Sequence, residues 1–284
     1  MTAVGEVLER LYREVDVPTR LAADPVSYPH RYDAPEDQEI AAVFAASLAY
    51  GRVAGFRAVL DVIFAQADAR GGPAAWVRGF DPVTDGDRLR PLVYRWNRGE
   101  DFVVLVGALQ RLSAGGSLER FLVGDPLPDA LDAWIGAVRS AAAEAAGVGA
   151  FEALPRGFRS LLPRPADGSA CKRWWMFLRW MIRPNTEGLD LGLWRSRSPA
   201  ELVVPLDTHV LRIAQFLGLT RRRDGSGRTA REVTEALRRL DPADPVRFDF
   251  AIAHLGISRA CLGHREAAIC AGCALDPACA APPG

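Results

Sequence analysis

One lysine stands among 35 basic residues; the other 34 are arginines, so position 172 keeps an amine where every other basic side chain is a guanidinium. A guanidinium is never deprotonated in proteins, whereas a desolvated lysine amine can shed its proton and attack carbon. Lys172 is therefore a candidate nucleophile. The competing reading is a solvated surface lysine that survived a drift toward arginine. The segment from Leu161 to Lys172 runs through a proline- and glycine-bearing turn into a helix whose first turn carries the lysine. A helix N-terminus and the adjacent Arg173 both disfavour an ammonium there. Trp174, Trp175, Phe177 and Trp180 add apolar surroundings, although aromatics at helical spacing are usually core packing.

Asp207 opens a second apolar-periodic helix, where its ordinary role is an N-cap accepting backbone N–H bonds. Held near Lys172, it would also supply the anion that a cationic transition state needs. His209, two residues on, reads as a structural histidine more readily than as a base. The third constellation is Cys261, Cys270, Cys273 and Cys279, four of the five cysteines within nineteen residues. In an intracellular chain that density means a metal or a cluster rather than disulfides, and four thiolates suit zinc and iron–sulfur alike. His264 is a further candidate zinc ligand. Reduced structural cysteines without metal are the alternative.

The elements that must position these groups are helical. Helices are expected over Asp33–Leu48 (opened by Asp33 with Pro35 and Glu36), from Val53 to Phe64, and over 101–112, 117–122, 128–146, 170–183, 208–217 and 229–240. The last opens on a capping box, Thr229 with Glu232. Only Phe102–Val106 and Leu202–Val204 are β-like, and neither has a hairpin partner with turn chemistry nearby. An all-α architecture follows. The helical period places Lys172, Arg179 and Arg183 on one basic face, a solvated face by default and an anion-lining one as the functional alternative. Length and an apolar content of 49% suffice for a core without disulfides. A net charge of zero removes any argument from bulk charge for nucleic acid or membrane. No run is long enough to span a bilayer and no leader pattern opens the chain, so the expected setting is soluble and cytoplasmic, with no membrane partner.

Taken in order, Pro205-Leu-Asp207-Thr-His-Val-Leu-Arg-Ile, Leu217-Gly-Leu, the capped helix at 229–240, Leu255-Gly-Ile and the four-cysteine tail resemble the C-terminal half of the helix-hairpin-helix DNA glycosylases of the endonuclease III type (the HhH-GPD superfamily). The likeness runs from about Leu161 to Cys279. The usual hairpin is replaced by Leu162-Pro-Arg-Pro-Ala-Asp-Gly168, and the Lys172 to Asp207 interval is closer to that of the archaeal 8-oxoguanine glycosylases. The resemblance implies two helical subdomains, 38–183 and 1–37 plus 184–284, with a C-terminal cluster loop. It implies a base-excision repair glycosylase with AP lyase activity on an oxidised base, Lys172 as Schiff-base nucleophile on C1′ and Asp207 assisting. Cys261, Cys270, Cys273 and Cys279 would hold a 4Fe–4S cluster, with zinc as the alternative. The partner would be duplex DNA with a damaged base, met by a nucleoid-associated bacterial monomer. Arg179, Arg183 and Arg212 are candidate phosphate contacts, and Tyr50 or Arg52 would fill the gap left by the flipped base. The rival class is a non-catalytic helical DNA-binding or interaction module with a structural metal.

Overall fold

The computed structural model describes residues 3–257 and 261–282. These form fourteen α-helices: α1 (Ala3–Glu14), α2 (Val17–Ala23), α3 (Pro35–Leu48), α4 (Val53–Asp68), α5 (Pro73–Arg78), α6 (Gly86–Leu89), α7 (Gly99–Ser113), α8 (Leu127–Ala145), α9 (Arg156–Arg159), α10 (Lys172–Ile182), α11 (Thr208–Phe216), α12 (Gly227–Arg238), α13 (Asp249–Ile257) and α14 (Ala267–Cys270). The only sheet among the described residues is a hairpin of two-residue strands, β1 (Val93–Tyr94) and β2 (Asn97–Arg98). The fold is all-α. None of the described helices is long and apolar enough to cross a membrane.

Local signals account for most helix starts. In α3 Pro35 occupies the first turn, where its missing N–H costs nothing, but Ala34 rather than Asp33 is the cap. In α12 the cap is Ser226, accepting from Thr229 N, so Thr229 lies buried inside the helix instead of opening it. The β-like Phe102–Val106 run is helical within α7, where Asp101 accepts from the Arg98 backbone N–H and packing on nearly every side overrides strand propensity. Leu202–Val204 is extended but unpaired with any strand. The stretch 117–122 tightens to a 3₁₀ turn over Leu118–Phe121.

One hydrophobic cluster runs from Val7 to Leu275, and residues of both expected subdomains contribute to it. Along α8, Leu127, Ala130, Leu131, Trp134, Ile135 and Val138 recur at helical spacing and face that cluster. Trp174 and Phe177 of α10 pack at a tilt against Trp134, and Trp194 meets Phe177 at 5.2 Å between ring centroids. The aromatics of α10 are thus core, and they fix the helix that begins at Lys172.

Candidate active site

Lys172 is the first residue of α10. The residue before it, Cys171, is held at φ +45°, a left-handed conformation that costs a side-chain-bearing residue free energy. Local bonds hold it there: Cys171 N–H donates to Ser169 Oγ at 3.1 Å, and its carbonyl accepts from Trp174 N and Trp175 N. Burial pushes the Cys171 thiol up to about 11, so it stays neutral and inert. The strained residue is thus the N-cap of the helix that the only lysine begins.

Asp207 caps α11 as its sequence position predicts, one carboxylate oxygen accepting from His209 N and Val210 N at 2.9 Å each. The other oxygen, Oδ2, lies 3.5 Å from Lys172 Nζ. The two side chains are about one third and one fifth exposed, so the pair is open to a substrate yet shielded on its inner side. An amine and a carboxylate so arranged provide a nucleophile, a proton acceptor beside it and a fixed negative charge next to the carbon it would attack.

The loop that delivers Lys172 is clamped from both sides. Arg139 of α8 donates to the Leu162 carbonyl, and Asp132 accepts from Arg164 and from Ala166 N. Where the resemblance calls for a hairpin, the chain forms a 3₁₀ turn over Pro165–Asp167 bound to α8. On the other side Gly227 N donates to Gly168 O at 2.9 Å, and Ser169 bridges Ser226. A Cβ at Gly227 would stand 2.8 Å from Ser169 O, so only glycine allows this approach. Gly227→Ala is therefore expected to lower stability by about 1–3 kcal/mol through forced overpacking and to displace the Lys172 loop. A thermal melt together with a Lys172-dependent activity checks both effects.

Beyond Asp207 the exposed side of α11 borders an open groove of about 550 Å³ that includes Thr208, Arg212, Gln215, Arg221 and Arg223. Among the described residues no carboxylate lies within ion-pair distance of these three arginines. Among the described residues Arg212 donates to the Cys261 carbonyl at 3.4 Å, and its Nε has no hydrogen-bond partner.

The tail brings Cys261, Cys270, Cys273 and Cys279 to the rim of one largely apolar pocket, shared with His264, Ile213, Phe216 and Leu275. Burial raises the Cys273 thiol, and the other three sulfurs add to the shift, which puts all four in one electrostatic neighbourhood. All four are free thiols. Among the described residues no three His, Cys, Asp or Glu side chains are drawn together as a ready ligand set. Four cysteine sulfurs around a largely apolar pocket nevertheless match, once deprotonated, the donor chemistry of an iron–sulfur cluster or zinc. The loop is anchored by Arg10 of α1 on the Ala274 carbonyl and by Ala280 N on the Phe216 carbonyl.

The profile of a family described as "Protein of unknown function (DUF2400)" matches residues 24–258. The chain belongs to the DUF2400 family. No curated protein and no solved structure matches it. The DUF2400 region contains Lys172 and Asp207, while the four cysteines of the tail lie beyond it.

Several expected DNA contacts of this DUF2400 chain stand elsewhere. Arg179 and Arg183 are 3% and 6% exposed, so neither reaches a phosphate. Arg179 pairs with Asp190 at 3.2 Å and Asp249 at 3.1 Å; Arg183 pairs with Asp190 and, at 2.7 Å, with Asp244. The helical period is right, but the face it defines turns inward beyond the first turn of α10 and meets acidic groups of distant segments. Tyr50 is likewise committed: its hydroxyl donates to Asn97 Oδ1, its ring carries Arg173 at 5.0 Å, and burial pushes the phenol up to about 12. That leaves it no freedom to enter a DNA stack. Arg52 is exposed, and Arg212 lines the groove beside Asp207. His209 packs against Gly256, with its Nδ1 buried and without a hydrogen-bond partner among the described residues. Sequence reasoning passed over the β1–β2 hairpin, because strands of two residues carry no periodic signal.

Proposed function

We propose that this chain excises a damaged base from DNA and cleaves the resulting site, with Lys172 as the nucleophile and Asp207 as its partner. The observation that carries the reading is the 3.5 Å approach of Lys172 Nζ to Asp207 Oδ2, a meeting of the only amine side chain with a carboxylate already fixed by its own helix. With the target nucleotide out of the stack, the Lys172 lone pair forms a bond to C1′ as the N-glycosidic bond breaks. The departing base takes the bonding electron pair and a proton. Asp207 Oδ2 accepts the proton shed by the amine and stabilises the positive charge that builds on the sugar. Ring opening gives an imine between Lys172 and C1′, and loss of a C2′ proton expels the 3′ phosphate, cutting the strand. Arg212, Arg221 and Arg223 in the adjoining groove are placed for phosphate contacts.

The deciding experiment is trapping. Duplexes carrying oxidised bases or an abasic site are incubated with the protein and reduced with borohydride. A covalent protein–DNA adduct is expected; its absence on every substrate overturns the covalent mechanism.

In this reading Cys261, Cys270, Cys273 and Cys279 hold a 4Fe–4S cluster, which when bound supplies a rigid, redox-capable link for the tail. The purified protein is expected to be brown, with visible absorption that Cys273→Ser removes together with part of its thermal stability. A colourless protein containing one equivalent of zinc would transfer the same ligands to the alternative metal.

A further inference from the structure

Trp96 is the one exposed indole of the chain, at 66%, while the other six tryptophans are at most 3% exposed. It sits in the two-residue turn between β1 and β2, where Val93 pairs with Arg98 and Tyr94 with Asn97. Its turn partner, Arg95, is held at φ +52°, in a position of tight hairpins that usually selects glycine or asparagine. A side chain kept there against backbone preference points from strain to use. The Arg95 guanidinium stands about 6 Å from both the Tyr50 and the Trp96 rings, and Arg98 donates to the Arg95 carbonyl at 3.0 Å.

The surroundings are cationic. Arg52, Arg95, Arg98, Arg156 and Arg159 are all exposed, and among the described residues none has a carboxylate within ion-pair distance. Two glycines bring them together. Gly51, beside Arg52, comes so near the hairpin that a Cβ would stand 2.7 Å from the Tyr94 hydroxyl and 3.0 Å from Arg95 Cδ. Gly157, between Arg156 and Arg159, comes so near that a Cβ would stand 2.4 Å from the Trp96 carbonyl oxygen. A run of contacts leads from the turn to the nucleophile, through the Arg95 guanidinium over Tyr50 and the Arg173 guanidinium over the same ring, to the residue after Lys172.

We infer that the β1–β2 turn is a wedge for duplex DNA: Trp96 enters the base stack beside a displaced nucleotide while the surrounding arginines hold the two flanking phosphate backbones. The inference rests on the function proposed above and assigns the gap-filling side chain to Trp96. An exposed aromatic with guanidinium groups that lack carboxylate partners on neighbouring segments matches a ligand that offers flat apolar faces between rows of anions. It suits neither an apolar protein surface, which would leave the arginines unpaired, nor a bare polyanion, which has no use for the indole.

The test uses the full chain with two labelled duplexes, one intact and one carrying a stable abasic analogue; binding is followed by anisotropy, and Trp96 by acrylamide quenching of tryptophan emission. In the free protein the quenchable emission should belong to Trp96 and disappear in Trp96→Phe. Saturating abasic duplex should protect it. Trp96→Ala should weaken the abasic duplex roughly tenfold, as expected for one stacked base, and affect the intact duplex far less. Arg95→Gly, which relieves the strained φ, should fold normally and bind both duplexes more weakly with a shallower salt dependence. Tight DNA binding with unchanged quenching and an unimpaired Trp96→Ala overturns the wedge and leaves the excision reading standing. Failure of the wild-type protein to bind either duplex overturns both.

Discussion

Lys172→Gln is expected to eliminate the borohydride-trapped adduct and to lower strand cleavage by roughly 10⁴-fold or more, because no other lysine is present to replace the lost nucleophile. The fold should hardly register the change. Lys172 lies at the start of its helix and a third of its side chain is exposed, so losing the contact with Asp207 costs about 1 kcal/mol or less. Asp207 needs a subtler variant, since it both faces the amine and caps α11. Asparagine caps a helix about as well as aspartate, so Asp207→Asn removes the charge and keeps the cap. Its rate should fall about 10²- to 10⁴-fold, the range for loss of a positioned proton acceptor, with an almost unchanged melting temperature. Asp207→Ala should lose activity and also about 1 kcal/mol of stability. If Asp207→Asn keeps full activity, the carboxylate is only a cap and the pairing with Lys172 has no chemical role.

Arg179→Met should destabilise the protein by about 3–5 kcal/mol at neutral pH, enough to threaten folding, because the charge it neutralises is buried with it. Arg179 neutralises Asp190 and Asp249 inside the protein, and removing it leaves buried negative charge uncompensated. The network is already short of partners: Arg179 Nε and the Oδ1 atoms of Asp190 and Asp244 have no hydrogen-bond partner among the described residues. Burial raises the Asp249 carboxyl to about 6, above the roughly 4 of an unfolded chain, against the pull of Arg179 and Arg183. The folded state therefore takes up this proton more readily, so the stability contributed by Asp249 is fully present below about pH 4 and is lost as pH rises through about 6. Without Arg179 the carboxyl rises further still. The deficit of Arg179→Met relative to wild type should consequently shrink as pH falls from 7 toward 5, and pairing it with Asp249→Asn should recover part of the loss. Denaturant unfolding at the two pH values measures both, and a deficit independent of pH would show that the ion pairs are not its cause.

Features written in consecutive residues could be read without coordinates. The proline and glycine turn before Lys172, the aspartate before an apolar period at 208–216 and the crowded cysteines are local patterns, and each predicts a local outcome. Two of these are observed in the fold: Lys172 begins α10, and Asp207 caps α11 with two backbone bonds. Helix starts shifted by one residue at Ala34 and by three at Ser226, because neighbouring residues compete for the same cap. The helical period was also correct in grouping Lys172, Arg179 and Arg183, yet periodicity identifies a face without saying what covers it. Asp190, Asp244 and Asp249 come from three later segments, and their arrival turned two expected surface arginines into buried charges at the end of α10.

The amino-acid order alone determined an all-helical chain, a lone amine at a helix start and a carboxylate at another, since hydrogen-bond caps and apolar spacing act over a few residues. The tertiary structure decided that amine and carboxylate meet, that Arg179 and Arg183 are interior, and that Trp96 is left outside on a strained turn among arginines. Those outcomes depend on which distant surfaces come into contact, and burial, ion pairing and exposure are properties of that contact and not of either segment by itself.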